Sequence, residues 1–348
     1  MRMKLVAALC CSTVASVASA ATPAAPMSYN VDSTLGYTLP GIRVQQVTGA
    51  RGAIVLKAVF HDDHFGDPED LVVGTLTGAV AYSLLLSSIH ESMGNADIHQ
   101  EWSVFEQYDV GFSEPVLSDL TATPPTFTEL AGTDEAYERH PAIADPVAVW
   151  DSTDRFGDST VILIPDLTNP SPATLVKVGP GTKPSTNGTQ VVYEVAKDLV
   201  LYDIDTKASS PFGDPAATEW NPVIGGKRIA YEKDDNGTRK IFYRTTTDLG
   251  TENEWDPGLC SEYFMPRLNA DGSIMIYTGD GCADGPWPLY ATYFPTVGSP
   301  RTYLVGFLDS FDTDPDAWAP YDIDDDGLAY MRSGTSKVWV ARLNKALL

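Results

Sequence analysis

The sequence predicts an all-β protein folded as a β-propeller, and three observations predict it. First, a phrase recurs in which a proline is followed by an aliphatic run ending in Tyr or Trp, and then by a second aliphatic run. The prolines of this phrase lie at positions 141, 184, 222, 266 and 320, and a period of about 40–45 residues is typical of a four-stranded blade. Second, 28 Gly and 25 Pro separate short apolar runs. Third, the 3.6-residue period of long helices is absent.

The first 20 residues have the pattern of a secretory signal peptide: a basic start, an apolar stretch and the small-residue cleavage site Ala18-Ser19-Ala20. A lipid anchor at Cys10 or Cys11 is the weaker alternative, because their preceding residues fit that motif poorly. No later segment approaches the roughly 20 apolar residues that a membrane helix needs. We therefore expect a periplasmic or secreted protein without a transmembrane segment.

After the signal peptide, residues 21–36 are predicted to be a flexible leader and residues 37–348 to form the propeller. From residue 139 onward the phrase occurs five times, which predicts five regular blades. Their first aliphatic runs end in an aromatic residue that we expect to fill the space between neighbouring sheets: Trp150, Tyr193, Tyr231, Tyr277 and Tyr330.

The region 37–138 is less regular, and we predict a sixth, degenerate blade there around Pro68 and Ala79–Tyr82. The apolar runs from Ile42 and from Ala53 are expected to complete the ring, since a closed propeller usually pairs strands from both chain ends. Residues 106–138 are interpreted as a long excursion between blades. The expected architecture is thus a single domain of six four-stranded blades.

The segment Glu219–Tyr243 resembles the WD40-like repeat of the TolB family of β-propellers, and Pro266–Tyr277 is similar to the same repeat. The resemblance covers about 200 residues of the carboxyl-terminal part, and the family's separate α/β domain has no counterpart in this sequence. It implies an exported propeller whose loops contact another macromolecule. It is specific for the fold and weak for function, because a propeller supports many activities.

The chain carries 23 Lys and Arg against 47 Asp and Glu, a formal net charge of −24. Such a field repels nucleic acid and anionic lipid and favours cations or basic partners. Adaptation to a salty habitat explains the same composition equally well. We expect no nucleic-acid partner and a monomer.

Two cysteines, Cys260 and Cys282, remain after the signal peptide, and an even count in an oxidising compartment predicts one disulfide. A redox or metal role is the minor alternative, because no CxxC spacing and no nearby His accompany them.

Asp322, Asp324 and Asp326 precede Gly327 in a DxDxDG pattern, in which alternate carboxylates can converge on a calcium ion. The later carboxylate of such loops is missing, and the segment also occupies the place of the repeat's Asp-Gly turn. The pattern therefore favours an acidic hairpin, and a calcium site stays open as the alternative. Calcium is the one cofactor for which the sequence offers a candidate site.

Four of the five histidines fall before position 100, at His61, His64, His90 and His99. These are the candidate catalytic or metal-binding histidines, although HExxH spacing is absent and solvated loop histidines are the commoner case. No GxSxG elbow, phosphate loop or dinucleotide fingerprint occurs.

These patterns favour a non-catalytic module that binds a protein partner in the periplasm or cell envelope. The alternative is a secreted polysaccharide lyase or glycoside hydrolase whose histidines meet acidic loops at the mouth of the ring. In a third interpretation, calcium at the Asp322 loop only stabilises the fold.

Overall fold

The structure is a computed structural model. It describes residues 42–50, 53–60, 69–75, 83–88, 92–99, 102–109, 112–119, 126–130, 136–285, 287–308, 321–323, 327–332 and 337–342. These residues form strands joined by turns, with one short 3-10 helix at Pro172–Thr174. No helix in this part of the chain is long and apolar enough to cross a membrane.

The described strands form six sheets, and one of them contains two antiparallel meanders joined by a single parallel pair, Ser113 with Tyr137. Divided at that pair, consecutive antiparallel strands make seven units, which we call blades 1 to 7 in chain order. Blade 1 contains β1 (Ile42–Ala50), β2 (Ala53–Phe60), β3 (Glu69–Thr75) and β4 (Ser83–Ser88). Blade 2 contains β5 (Ser92–His99), β6 (Trp102–Asp109), β7 (Phe112–Asp119) and β8 (Thr126–Glu129). Blade 3 contains β9 (Ala136–Ala144), β10 (Val147–Asp154), β11 (Ser159–Ile164) and β12 (Val176–Pro180).

The remaining blades follow the same meander. Blade 4 contains β13 (Thr182–Thr186), β14 (Gln190–Val195), β15 (Asp198–Asp203) and β16 (Ala208–Pro211). Blade 5 contains β17 (Glu219–Gly225), β18 (Arg228–Asp235), β19 (Thr238–Thr245) and β20 (Asp248–Trp255). Blade 6 contains β21 (Glu262–Leu268), β22 (Ile274–Asp280), β23 (Pro288–Tyr293) and β24 (Arg301–Phe307). Blade 7 contains β25 (Tyr321–Ile323), β26 (Gly327–Arg332) and β27 (Lys337–Arg342).

The first strand of each blade contacts the first strand of the next. These contacts run from β1 through β5, β9, β13, β17 and β21 to β25, and β25 in turn contacts β1. The first strands are therefore the inner strands of a closed ring. This arrangement confirms the predicted β-propeller.

The described strands form seven antiparallel meanders within six sheets, against the six four-stranded blades that the sequence predicted. Residues 106–138, interpreted as an excursion, contain β7 and β8, which belong to blade 2. The runs from Ile42 and Ala53 form β1 and β2, and β1 contacts β25 and β26, so the amino-terminal run meets the carboxyl-terminal blade where the ring closes. Pairing of strands from the two chain ends within blade 7 stays a prediction, since three strands of that blade lie within the described residues.

The hydrophobic core lies between neighbouring blades. Each described cluster joins residues of two successive sheets, as when Val192 and Leu199 of blade 4 pack with Ile229 and Tyr231 of blade 5. Four of the five predicted aromatic residues lie in these layers with exposures of at most 3%: Trp150, Tyr193, Tyr231 and Tyr277. Burial of each such ring stabilises the fold by about 2–3 kcal/mol, so the aromatic ends of the repeat hold the blades together.

Candidate functional site at the inner strands

A bulge interrupts four successive inner strands at the proline of the repeat. The residue before each proline has a positive φ of 48–51°, and the pairing register of each strand shifts at this point. These residues are His140, Lys183, Asn221 and Met265. A left-handed conformation costs a non-glycine residue about 1–2 kcal/mol, so the surrounding structure must hold these bulges in place.

Buried carboxylates of the preceding blade hold the bulges. The His140 backbone N–H donates to Glu106 Oε1 over 2.5 Å, and the Lys183 N–H donates to Asp151 Oδ1 over 3.0 Å. The next two blades repeat the contact, at 2.6 Å from Asn221 N to Glu194 Oε1 and at 2.9 Å from Met265 N to Glu232 Oε1. Each bulge thus has its unpaired amide satisfied by a charged acceptor.

Three of the four bulge side chains lie beside the carboxylate of their own blade. His140 Nδ1 lies 2.7 Å from Asp151 Oδ1, and Lys183 Nζ lies 3.9 Å from Glu194 Oε1. Asn221 Nδ2 donates to Glu232 Oε1 over 2.8 Å. Asp151 and its two counterparts therefore connect a side chain of one blade with the backbone of the next. We call the four carboxylates and four bulge residues the carboxylate relay.

Strand alternation explains why the relay exists. Successive side chains on a strand point to opposite faces, so the aromatic residue that ends each run faces the preceding blade and the acid after it faces the following blade. Trp150 accordingly packs with Val104 and Leu117 of blade 2, whereas the next residue, Asp151, accepts from blade 4. The recurring aromatic-acid pair is the sequence signal that identifies the relay.

Among the bulge side chains, His140 is the one whose ordinary pKa lies closest to neutral pH. Burial disfavours its charged form, but the hydrogen bond to Asp151 and the charges of Asp151 and Glu106 outweigh burial and raise the pKa of His140 above its usual value. The imidazole is 29% exposed while the Asp151 side chain is 2% exposed. The pair therefore places a partly accessible imidazole beside a buried carboxylate that favours its protonation.

Glu232 is the most heavily bonded carboxylate of the relay, and it is fully buried. Besides the bonds from Met265 and Asn221, Glu232 Oε2 accepts from Trp220 Nε1 over 3.0 Å and from the Arg239 guanidinium. Arg239 itself stacks over the Trp220 ring at 5.1 Å. The charge of Glu232 is thus compensated without water.

Two further glutamates lie two residues before a bulge, Glu138 in β9 and Glu219 in β17. Both are at most 3% exposed, and each has one carboxylate oxygen without a hydrogen-bond partner among the described residues. Burial raises the pKa of both glutamates to about 7. These groups lie at the same place in two repeats and titrate near neutral pH.

Blade 5 also contains an ion-pair cluster beside Glu219. Lys233 Nζ donates to Glu252 Oε2 over 2.8 Å and to Asp214 Oδ2 over 3.3 Å, and Arg244 Nη2 donates to Glu252 Oε1 over 2.8 Å. The cations in this cluster neutralise its carboxylates, so the cluster serves blade 5 as an internal polar layer.

The structure places some of the residues predicted as site residues. Cys260 and Cys282 form a disulfide that ties the entry of blade 6 to the β22–β23 loop. Asp322 lies on β25, opposite Ala329 of β26; Asp324 and Asp326 lie outside the described residues, between these two strands. The described residues contain no group of three or more potential metal ligands, and calcium at this turn stays a prediction.

Of the predicted histidines, His61, His64 and His90 lie outside the described residues, and their roles stay predictions. His99 lies at the β5–β6 turn, opposite Trp102. Asp97 on the same strand accepts from Ile143 of β9, which places His99 about five residues, or ~16 Å, along the inner strands from His140. The predicted His99 and the newly found His140 therefore lie near opposite ends of the ring.

No protein-family model matches the chain. The fold is that of solved β-propellers. An oligogalacturonate lyase in complex with manganese has a TM-score of 0.62 at 12% identity, with 92% of this chain and 98% of that chain covered. The oligogalacturonate lyase of Vibrio parahaemolyticus has a TM-score of 0.60 at 14% identity, with 89% and 93% covered.

A third propeller belongs to the Trilobed protease of Pyrococcus furiosus, described as having an open velcro topology. Its TM-score is 0.60 at 9% identity, with 89% of this chain and 97% of that chain covered. A curated protein of Neisseria meningitidis, 3,4-dihydroxy-2-butanone 4-phosphate synthase, is 29% identical over 107 residues, which span 27% of this chain and 30% of that protein. These likenesses define the class of protein, a β-propeller, and leave its activity to the site.

Proposed function

We propose that the protein is a non-catalytic binding module of the periplasm or cell envelope, which docks a protein partner at the end of the propeller where the inner strands begin. The carboxylate relay is the observation that supports this proposal. Glu106, Asp151 and Glu232 are at most 1% exposed, and each accepts a backbone N–H from the next blade. Acids committed to such bonds fix the scaffold and are poor donors or acceptors of a substrate proton.

The electrostatics of His140 support the same proposal. A general base works best when its pKa lies near the working pH and its neutral form is available. The Asp151 contact instead favours the imidazolium by raising the pKa of His140. The contact thus reduces the share of neutral imidazole that could act as a base, and it occupies Nδ1.

The experiment tests turnover directly. Purified mature protein is incubated with a panel of plant, algal and bacterial envelope polysaccharides, with and without added Ca²⁺ or Mn²⁺, and the products are separated by chromatography. The proposal predicts that no substrate is shortened. A new product that depends on the protein and is lost in His140→Ala would overturn the proposal.

A lyase acting on uronate-containing oligosaccharides is the second candidate. The specific observation in its favour is that His140 and Lys183 lie on neighbouring inner strands, each beside an acid of its own blade, so groups that can exchange protons lie close together. Proton removal next to that carboxylate requires a base as well. The solved propellers that share this fold include a lyase in complex with manganese, and the lyase assay therefore includes that ion.

Oligogalacturonate is the substrate that separates the candidates. Lyase cleavage produces an unsaturated, ultraviolet-absorbing product, whereas a binding module produces none. His140→Gln and Lys183→Gln are the test variants, and Lys207→Gln on the exposed β15–β16 turn is the matched control. Activity that survives in both test variants would argue against the second candidate's site.

Calcium at the Asp322 loop stays the alternative to an acidic hairpin, and in that alternative the ion would only stabilise the fold. Thermal unfolding with excess calcium and with EDTA, followed by Trp fluorescence, tests it. A rise in Tm of several degrees that Asp324→Ala abolishes would support the site, and an unchanged Tm would leave the acidic hairpin.

A further inference from the structure

An exposed pair of arginine-aromatic stacks marks one corner of blade 3. The Arg139 guanidinium carbon lies 5.2 Å from the Tyr137 ring centroid, and that of Arg155 lies 4.9 Å from the Phe156 ring centroid. Tyr137 is 38% exposed and Phe156 is 77% exposed. We call these four residues the arginine-aromatic platform.

The four side chains lie at the same end of the same sheet. Tyr137 of β9 pairs with Thr153 of β10, and β10 ends one residue before Arg155. Tyr137 and Arg139 are the two exposed residues in the first half of β9, and they alternate with the buried Ala136 and Glu138. Since side chains of opposed residues lie on one face, the β9 pair and the β10–β11 turn form one continuous surface next to the His140 bulge.

The turn that presents Phe156 is rigidly built. Asp154 Oδ1 accepts from the backbone N–H groups of Phe156 at 2.8 Å and Asp158 at 3.1 Å, and the Gly157 N–H donates to the Asp154 carbonyl over 3.0 Å. A Cβ added at Gly157 would meet no atom within 4 Å. The apolar ring is thus held out into open space by a fixed turn, which lowers the entropy lost on binding.

This surface carries two arginines in a strongly acidic chain. The protein has a net charge of −24, yet neither Arg139 nor Arg155 forms an ion pair within the described part of the chain. Lys233, Arg239, Lys240 and Arg244, by contrast, all pair with carboxylates. Guanidinium groups that are already stacked on rings are well placed to bind carboxylates in a bidentate manner.

We infer that the arginine-aromatic platform is the docking site for a short acidic segment of a protein partner, in which one or two carboxylates flank an apolar side chain. This inference rests on the proposed binding function and names the chemistry of its partner. Arginine and aromatic residues dominate the energetics of protein interfaces. The negative field of the remaining surface disfavours a polyanion with a charge on every unit more than a short segment, so a polyuronate fits the site less well than a peptide.

The test measures binding of a defined probe by fluorescence anisotropy. The probe is a fluorescein-labelled synthetic peptide in which two glutamates flank a Phe-Leu pair, and its analogues carry lysines for the glutamates or Gly-Ser for the apolar pair. Wild-type protein is expected to bind the acidic probe in preference to both analogues and to oligogalacturonate.

Variants locate the site. Arg139→Glu combined with Arg155→Glu should weaken binding by about tenfold or more, because two attractions become repulsions. Lys177→Glu combined with Lys207→Glu makes the same charge change at exposed residues of blades 3 and 4 and should weaken binding far less. Phe156→Ser alters an exposed ring, should leave Tm unchanged, and should also weaken binding by about tenfold.

Each outcome decides one of the two claims. Equal losses in the charge-reversal variant and its control, or no preference for the acidic probe, would overturn the platform as the docking site and leave the binding module standing. Tighter binding of oligogalacturonate would overturn the protein partner. Turnover of a polysaccharide is the separate result that overturns the proposed function itself.

Discussion

Replacing Glu232 with glutamine removes the charge of the central relay carboxylate while keeping its shape. One oxygen stays to accept from Met265 and Asn221, but the other becomes an NH₂ group that faces the donors of Trp220 and Arg239. The side chain of Arg239 is 12% exposed, so its charge loses a partner without gaining water. Breaking a buried pair from one side costs about 3–5 kcal/mol.

The cost converts into a measurable shift in Tm. The unfolding entropy of a chain of this length is about 0.7 kcal/mol/K, so the loss corresponds to a decrease in Tm of about 4–7 °C. The assay is thermal unfolding followed by circular dichroism or Trp fluorescence at neutral pH. The Tm of a variant that loses a buried glutamate charge should therefore lie clearly below the Tm of a variant that loses an exposed one in the same blade.

Glu254→Gln is the matched control for this experiment. Glu254 is 38% exposed and its Oε1 lies 2.7 Å from Lys240 Nζ on the surface of blade 5, where an ion pair contributes at most about 1 kcal/mol. The control should move Tm by no more than about 1 °C. If Glu232→Gln and Glu254→Gln shifted Tm equally, the reasoning that Glu232 anchors two blades would be refuted.

Three further predictions concern titration and covalent closure. Burial raises the pKa of Glu138 from its ordinary 4.5 to about 7 in the folded state. The native state therefore binds more protons between these two values, and stability falls as pH rises through that window. Glu138→Gln should raise Tm at about pH 8 and leave it unchanged at about pH 4, and an equal rise at both pH values would contradict the burial argument. Asp151→Asn should lower the pKa of His140, measured by NMR titration, because the charge that raises it is gone; an unchanged value would remove Asp151 as the cause. Reducing the bond between Cys260 and Cys282, which closes a loop of 22 residues, should destabilise the protein by about 3 kcal/mol in denaturant titrations, and equal stability in the Cys-to-Ser double variant would contradict this.

The propeller was predictable because its repeat combines two local signals. Proline marks the bulge of the inner strand, and an aromatic residue ends the aliphatic run of the second strand, as in Pro222 and Tyr231 of blade 5. Each signal has a packing cause, which is why it recurs. Five regular repeats were enough to predict the fold class.

The number of blades was not predictable, because blades 1 and 2 keep the geometry and lose its markers. The pairing of β5 with β6 shifts register between Met93 and Ala96, at the place where later blades carry proline. The intervening Gly94-Asn95 tolerates such a bulge without a proline. Phe105-Glu106 preserves the aromatic-acid pair, which is the one marker in the sequence of β6 that we did not use.

The sequence contains part of the signal for the carboxylate relay, although we did not predict the relay from it. An acid follows the aromatic residue in Trp150-Asp151, Tyr193-Glu194 and Tyr231-Glu232, whereas Thr278 follows Tyr277. The acid has no meaning within its own strand. It accepts a hydrogen bond from an unpaired amide of the next blade, and this long-range contact cannot be recognised within a single repeat.

His140 was not among the predicted site histidines, all of which precede position 100. A lone histidine before a proline has no motif, and its charge state depends on Asp151, eleven residues away across a bulge. The arginine-aromatic platform was equally hidden. Tyr137 and Phe156 become neighbours because β9 and β10 pair, and net charge alone predicted a basic rather than an acidic partner.

Amide hydrogen exchange at the four bulges tests the relay most directly. The backbone N–H groups of His140, Lys183, Asn221 and Met265 point out of their strand ladders and are held by Glu106, Asp151, Glu194 and Glu232. The account predicts that all four exchange as slowly as the ladder amides beside them, and that Glu232→Gln accelerates exchange at Met265 while His140 stays protected. Rapid exchange at these amides in the wild-type protein would contradict the relay and the scaffold built on it.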